Sequence, residues 1–358
     1  MLQKKILIDL GKLKDRFSGL GEMSYNFGLN IVENIELLSK NNIAVYFLVP
    51  KQYVGAFGNK VKYIPLNFMF RHFPWLYKSF DLWYASHQDS SYMPGNKSCK
   101  FIMTIHDLNV SYHPNKIKAQ LRLNGIQKKM ERCDVIISNS NFTKNEIIKK
   151  LIPKKDINVI YCGCADFSKL DPVRPGQLPD IQNFYLHIST ITPKKNTRSL
   201  VDLMKIMPEC KLVIAGSWNT EYAKDIIKEI EKSKISNIIK LDNVSNEEKA
   251  WLYQNCKALF FPSFLEGFGL PVIESMYCGK PVFSSTCTSL PEIGSDKAFY
   301  WESFDPEEMK KIVEEKIAFA ENDPHFSNRL KEYAQNFNWT ENILQYIHLF
   351  INVLKEKD

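Results

Sequence analysis

Short apolar runs alternate with longer amphipathic stretches along this chain, and the alternation is interrupted once, near the middle. Strands are predicted at 4–10 (KKILIDL), 44–50 (AVYFLVP), 82–86 (LWYAS), 101–106 (FIMTIH), 135–139 (VIISN) and 157–161 (INVIY), with helical patterns between them at 23–40 and 116–132. The rhythm restarts with strands at 184–190 (FYLHIST), 211–216 (KLVIAG), 238–242 (IIKLD), 258–262 (ALFFP) and 281–285 (PVFSS), separated by helices at 197–207, 221–234, 246–256 and 270–278. Strand-helix alternation places helices on both faces of a parallel sheet, so the fold class is α/β with two doubly wound domains. The interruption, DFSKLDPVRPGQLPDIQN at 166–183, has three prolines and no periodicity and reads as a linker. The expected layout is a first domain over 1–170, a linker over 171–183, a second domain over 184–336 and a terminal segment over 337–358. That segment contains the apolar helix WTENILQYIHLFINVL.

Length agrees with this division, since 358 residues exceed one ordinary core. The N-terminal MLQKKILIDLG has too short an apolar stretch for a signal peptide, and no run of about 18 apolar residues predicts a membrane span. Eight cysteines with no CxxC pair predict reduced thiols and a cytoplasmic setting, with Cys162 and Cys164 as buried thiols in preference to metal ligands. Charge is divided unevenly. Residues 1–175 carry 26 Lys and Arg against 14 Asp and Glu, and the remainder carries 21 against 26. The basic half suits a nucleic acid, an anionic membrane surface or an acidic acceptor, or is simply a solvated lysine-rich surface. Within it, KIKAQLRLNGIQKKMERCD reads as a basic amphipathic helix of the kind that lies on membranes.

The densest chemistry lies in FFPSFLEGFGLPVIESMYCGKPV, residues 260–282. A strand ends at Pro262, a glycine-containing loop follows, and a helix starts near Leu270 with Pro271 in its first turn. The amides of Phe268, Gly269 and Leu270 at that helix start form an anion site. Glu266 and Glu274 stand beside it with seven residues between them. Carboxylates repel phosphate but accept paired hydrogen bonds from sugar diols. Taken alone, Glu266 also fits as a helix cap and Glu274 as a dipole-favoured first-turn residue.

This segment resembles the Glu-x7-Glu region of glycosyltransferase family 4, whose retaining members have the GT-B fold of two facing Rossmann-like domains with an interdomain cleft. The resemblance implies a hexosyltransferase using a nucleotide-sugar donor, with no cofactor and no metal. Glu266 would contact the donor sugar near the reacting carbon, Glu274 the ribose, and Phe268, Gly269 and Leu270 would offer amides to sugar and diphosphate.

Further pieces follow in the family's order. FYLHISTITPKKNTRSL resembles the segment delivering an arginine and a lysine to the diphosphate. Here those positions are Lys194 and Lys195, and Lys194 lacks arginine's bidentate fork. Ser189 stands where glycine is common. Gly19 and Gly21, in FSGLGEMSYNF, resemble the first-domain glycine loop that closes over the donor phosphate. A dinucleotide fingerprint is absent there, since position 24 is Ser and the next strand runs into Lys51. His106, in TIHDL and followed by Asp107, resembles the family's contact to a donor-sugar hydroxyl.

The sequence also lacks a D-x-D clamp, a G-x-S-x-G elbow and a P-loop. The resemblance implies Glu266, His106 and Lys195 as the catalytic set. The expected activity is transfer, leaning towards mannose from GDP-mannose, onto a glycan or undecaprenyl-linked glycan of surface polysaccharide such as lipopolysaccharide O-antigen or capsule. A non-catalytic nucleotide-sugar-binding partner subunit and a GT-B nucleotide-sugar epimerase are the alternatives. Nucleic acid is not an expected partner. The enzyme is expected in the cytoplasm, with peripheral contact on the inner membrane face.

Overall fold

Thirteen strands are placed among the described residues of the computed structural model, which cover 2–16, 18–73, 75 and 80–356. Phe17 of the glycine-loop stretch and the last two residues of the 337–358 segment lie outside them. The chain forms two units, one of Met1–Gly163 with Trp339–Asp358, the other of Cys164–Asn338.

The first unit carries β1 (Lys4–Asp9), β2 (Ile43–Val49), β3 (Lys62–Pro65), β4 (Leu82–Ala85), β5 (Lys100–Ile105), β6 (Val135–Ser138) and β7 (Ile157–Val159), in the order β3-β2-β1-β4-β5-β6-β7. Every neighbouring pair is parallel. Alternation along β1 shows why. Ile6 and Ile8 enter one core and Leu7 the other, so both faces of the sheet are covered and the strand reads as a continuous apolar run. The helix Trp339–Lys355 closes the first of these cores with Ile343, Tyr346, Ile347 and Phe350, packing against Phe27 and Tyr84 of the same unit.

The second unit carries β8 (Phe184–Ile188), β9 (Lys211–Ala215), β10 (Ile238–Leu241), β11 (Ala258–Phe261), β12 (Val282–Ser285) and β13 (Phe299–Trp301), all parallel, in the order β10-β9-β8-β11-β12-β13. In each unit the strand order reverses once, between β1 and β4 in the first and between β8 and β11 in the second. Ligands of open α/β sheets bind at the carboxyl ends of strands beside such a reversal.

Three expectations need correction. The stretch 166–183 is not a free linker but a packed part of the second unit. Phe167, Leu178 and Ile181 are buried, Val173 donates its amide to Glu247 O at 3.1 Å, and Gln254 Nε2 donates to Phe167 O at 2.8 Å. Its anchors follow no period, which is why the segment looked structureless. The boundary falls at Gly163 and Cys164, not at 170, and the returning segment begins at Trp339, not at 337. The helix expected over 23–40 is two helices, Gly19–Glu33 and Ile35–Lys40. Ser18 starts the first early by accepting the Gly21 amide at 3.1 Å, and Asn34 ends it. The edge strands β3 and β13 were not anticipated, being only four and three residues long with partly exposed side chains.

Candidate active site

In the second unit the two loops at the strand reversal carry the expected chemistry. After β8 the chain makes one tight turn over Pro193–Lys195, passes through Asn196 with φ +52°, and enters the helix Thr197–Ile206. After β11 the loop 262–269 leads into the helix Leu270–Tyr277. The two loops are tied together, since Phe264 N donates to Lys194 O at 2.8 Å. Lys195 Nζ pairs with Glu266 Oε1, both side chains being largely shielded, while Lys194 is exposed.

Local chemistry fixes the Glu266 loop. Glu266 N donates to Thr288 Oγ1 at 3.1 Å, and Ser289 Oγ donates to Glu266 O at 3.2 Å and Phe268 O at 3.0 Å. Phe268 is buried, its ring 5.8 Å from that of Phe337. Gly269 caps the helix with φ +109°, a conformation that side chains resist, and a Cβ there would lie 2.6 Å from Leu290. No side chain caps this helix start; Pro271 has no N–H and Val272 N donates to Gly269 O at 3.0 Å, so Gly269 and Leu270 carry the amides at this positive helix end.

Glu274 lies inside the helix, half-buried, and accepts a hydrogen bond from Tyr253 Oη at 2.6 Å. Burial raises the Glu274 pKa, while nearby Lys249 and the Tyr253 hydrogen bond oppose the rise. Burial also holds the Tyr253 phenol well above its ordinary value, so it remains a donor. Beneath the loops, His187 is fully buried, and its Nδ1–H donates to Phe260 O at 2.8 Å. Its Nε2 therefore accepts the Ser189 hydroxyl at 2.7 Å, which accounts for a serine at this position. Burial pushes the His187 pKa down to about 4, so the ring is neutral. Asn196 Nδ2 and Ser263 Oγ are buried without hydrogen-bond partners, one in each of the two tied loops.

In the first unit, Gly19 and Gly21 open the helix after β1. Only Gly21 is sterically required, because a Cβ there would lie 1.9 Å from Asp15 O, whereas Gly19 faces open space. His106 follows β5 and is buried, its Nε2–H donating to Ser86 O at 2.8 Å, which leaves Nδ1 as an acceptor. Burial lowers its pKa. His87, after β4, stacks on it with ring centroids 5.5 Å apart, and burial holds this second imidazole well below its ordinary pKa. Both rings line one small cavity with Lys12, Ser24, Tyr84 and Ser86. Asp107 forms a local turn, accepting the Asn109 amide at 2.8 Å. The cysteines 162 and 164 are buried, and the Cys162 thiol is pushed up to about 12.

Tyr253, His187, His87 and Asn196 were not singled out from the sequence. His87 had a legible signal, since it directly follows the strand expected at 82–86, much as His106 ends the one expected at 101–106. Tyr253 had none, its partner being on another helix.

Comparison with known proteins places these features. Residues 173–337 match the family described as glycosyl transferases group 1, and residues 39–165 match glycosyltransferase family 4. The chain belongs to these glycosyltransferases. It is 26% identical over 289 residues to O-antigen chain mannosyltransferase B of Escherichia coli, covering 75% of this chain and 74% of that one. It is also 26% identical over 246 residues to the serotype-specific mannosyltransferase WbdA of Escherichia coli, covering 63% of this chain but only 29% of that longer protein. The solved structure of Anabaena HepE in complex with UDP and glucose matches over 98% of this chain and 100% of its own, at 16% identity and a TM-score of 0.69. The fold is GT-B.

Proposed function

We propose that this chain transfers a hexose, mannose from GDP-mannose being the favoured case, to a lipid-linked glycan during surface polysaccharide assembly. The observation that carries this reading is the Lys195–Glu266 pair at the strand reversal of the second unit, beside an uncapped helix start and one turn from Glu274. A cation and a positive helix end suit a diphosphate, and two carboxylates suit sugar and ribose hydroxyls. The relatives named above are an O-antigen chain mannosyltransferase and a serotype-specific mannosyltransferase, and HepE was solved with UDP and glucose, which supports a nucleotide-sugar donor.

Lys194, Lys195 and the amides of Phe268, Gly269 and Leu270 neutralise the leaving diphosphate, a task that then needs no metal ion. Each such preorganised donor is worth on the order of 10²–10³ in rate. Glu266 accepts hydroxyls of the donor sugar and stabilises its developing positive charge. The acceptor oxygen attacks from the face the diphosphate leaves, so configuration is retained. Its proton passes to the departing phosphate oxygen as the anomeric C–O bond breaks. In the first unit, neutral His106 offers Nδ1 as a hydrogen-bond acceptor beside His87, and the basic surface meets the acceptor at the inner membrane face.

The test supplies GDP-mannose and, separately, UDP-glucose with a polyprenyl-diphosphate oligosaccharide. Release of one nucleoside diphosphate with an α-linked product, abolished in Glu266→Ala, is the expected result. Interconversion of sugar nucleotides without acceptor, or binding without turnover, would replace this reading by an epimerase or a binding subunit.

A further inference from the structure

The strand β4 ends at Ala85, which is paired with Met103 of β5; three residues past each stand Gln88 and His106. Beyond the end of β4, the Gln88 side chain takes the place of a strand. It is 4% exposed, its Oε1 accepts the His106 amide at 3.1 Å, and its Nε2 donates to Asp107 O at 2.9 Å. A primary amide carries an acceptor and a donor side by side, as a peptide does. No ionised or apolar side chain of this length carries both.

Further contacts converge on the same residue. His106 Nε2–H donates to Ser86 O, and Thr143 Oγ1 donates to His106 O at 3.3 Å. His87 accepts the Asp89 amide on Nδ1 at 2.9 Å, so its proton is on Nε2 and its ring is fixed where it stacks on His106. The segment 86–90 that carries these groups is itself pinned. Ser86 Oγ donates to Asp9 O and Ser90 Oγ to Asp9 Oδ2. Lys129 Nζ, from the helix Lys116–Met130, donates to Gln88 O at 2.8 Å and to Ser90 O at 2.7 Å. Asp9 is buried and Lys129 half-buried. Taking a carboxylate and an ammonium out of water costs stability, and the ladder between β4 and β5 closes without either. What these groups do fix is the peptide and the ring of His106.

We propose that Gln88 is a positioning residue for sugar transfer: it holds the His106 peptide so that the imidazole, its Nε2–H committed to Ser86 O, presents Nδ1 in one direction to a substrate hydroxyl. The proposal rests on the transferase reading for the hydroxyl that His106 meets. The placement of the ring by Gln88 is independent of it.

Two variants test this. Gln88→Met keeps the length and removes both bonds, and Gln88→Glu keeps an acceptor for the His106 amide but sets a carboxylate against Asp107 O. In nuclear magnetic resonance spectra of the full chain with isotope-labelled histidine, the His106 ring is assigned by its absence in His106→Ala. It shows the single Nε2–H tautomer in the wild type and exchange between tautomers in both variants. With GDP-mannose and the polyprenyl-diphosphate oligosaccharide, kcat falls on the order of tenfold to a hundredfold, the scale of a misplacement of about 1 Å. GDP affinity stays within about twofold, because the groups assigned to the diphosphate belong to the second unit. Adding Gln88→Met to His106→Ala costs nothing further, as for two residues that act as one. Wild-type turnover in both variants, an unchanged His106 signal, losses that multiply in the double variant, or a fall in GDP affinity as large as that in kcat each overturns the proposal. If Gln88→Met does not fold, Gln88→Glu carries every comparison. If the wild type itself releases no GDP, the transferase reading fails, and the imidazole spectrum alone decides whether Gln88 places the ring.

Discussion

Replacing Tyr253 with Phe removes one oxygen atom and isolates its effect on Glu274. The lost bond is short, 2.6 Å, and ends on a carboxylate, a class of hydrogen bond worth about 1.5–3 kcal/mol. Glu274 is only half-buried, so water recovers part of the loss and the lower end, about 1.5 kcal/mol, is the expected destabilisation at neutral pH. For a unit the size of Cys164–Asn338 that lowers the melting temperature by about 3–6 °C. The pH dependence follows from the direction of the shift. Burial already raises the Glu274 pKa, so its ionised form costs stability as pH rises through that value, and removing the phenol donor raises the pKa further. The difference between variant and wild type is therefore full above the Glu274 titration and shrinks below it. Nucleoside diphosphate affinity falls about five- to tenfold at pH 7 through the unanchored carboxylate, roughly 1–1.4 kcal/mol, and falls further on acidification in the variant than in the wild type. Thermal unfolding and calorimetric titration at pH 7.5 and pH 5.5 read both effects. Wild-type stability and affinity in Tyr253→Phe at both pH values would refute the reasoning.

Other outcomes follow from the same geometry. Glu266→Ala loses turnover with melting nearly unchanged; retained activity would remove Glu266 from the sugar contact. Gly269→Ala places a side chain at φ +109° against Leu290 and costs roughly 1–2 kcal/mol from backbone conformation alone, with loss of donor affinity, read by urea unfolding and titration. His187, held neutral with a pKa of about 4, makes the fold lose stability as pH drops from about 6.5, the unfolded value, towards 4, by roughly 3 kcal/mol in all. His187→Asn flattens that slope, and an unchanged slope would show the titration to lie elsewhere. EDTA leaves transfer intact; complete loss restored by Mg²⁺ would contradict charge neutralisation by the lysines and helix amides.

The alternating strands and the order of the motifs were legible because each depends on local spacing. A buried parallel strand needs only a run such as ALFF, and the 260–282 segment holds strand end, glycine cap and both carboxylates within one loop and helix. What escaped depends on contacts between distant segments. Tyr253 becomes significant only when its helix lies against Glu274, and the helix 246–255 shows little amphipathic pattern to advertise a buried phenol. Phe167, Leu178 and Ile181 anchor an irregular segment that no periodicity could reveal. Ser189 looked like a departure from pattern, yet the alternation of β8 puts it on the same side as His187, whose ring it caps. His87 and His106 meet because β4 and β5 are neighbours in register.

The most direct test is calorimetric titration of the full chain with GDP, UDP and ADP, repeated on Lys195→Ala and Glu274→Ala. Micromolar binding of one nucleotide by the wild type, lost or weakened at least about tenfold in both variants, is the predicted result, since each loses a charged contact. Absence of binding by a folded wild-type protein, or equal affinity in all three proteins, would contradict a nucleotide-sugar site at the strand reversal of the second unit.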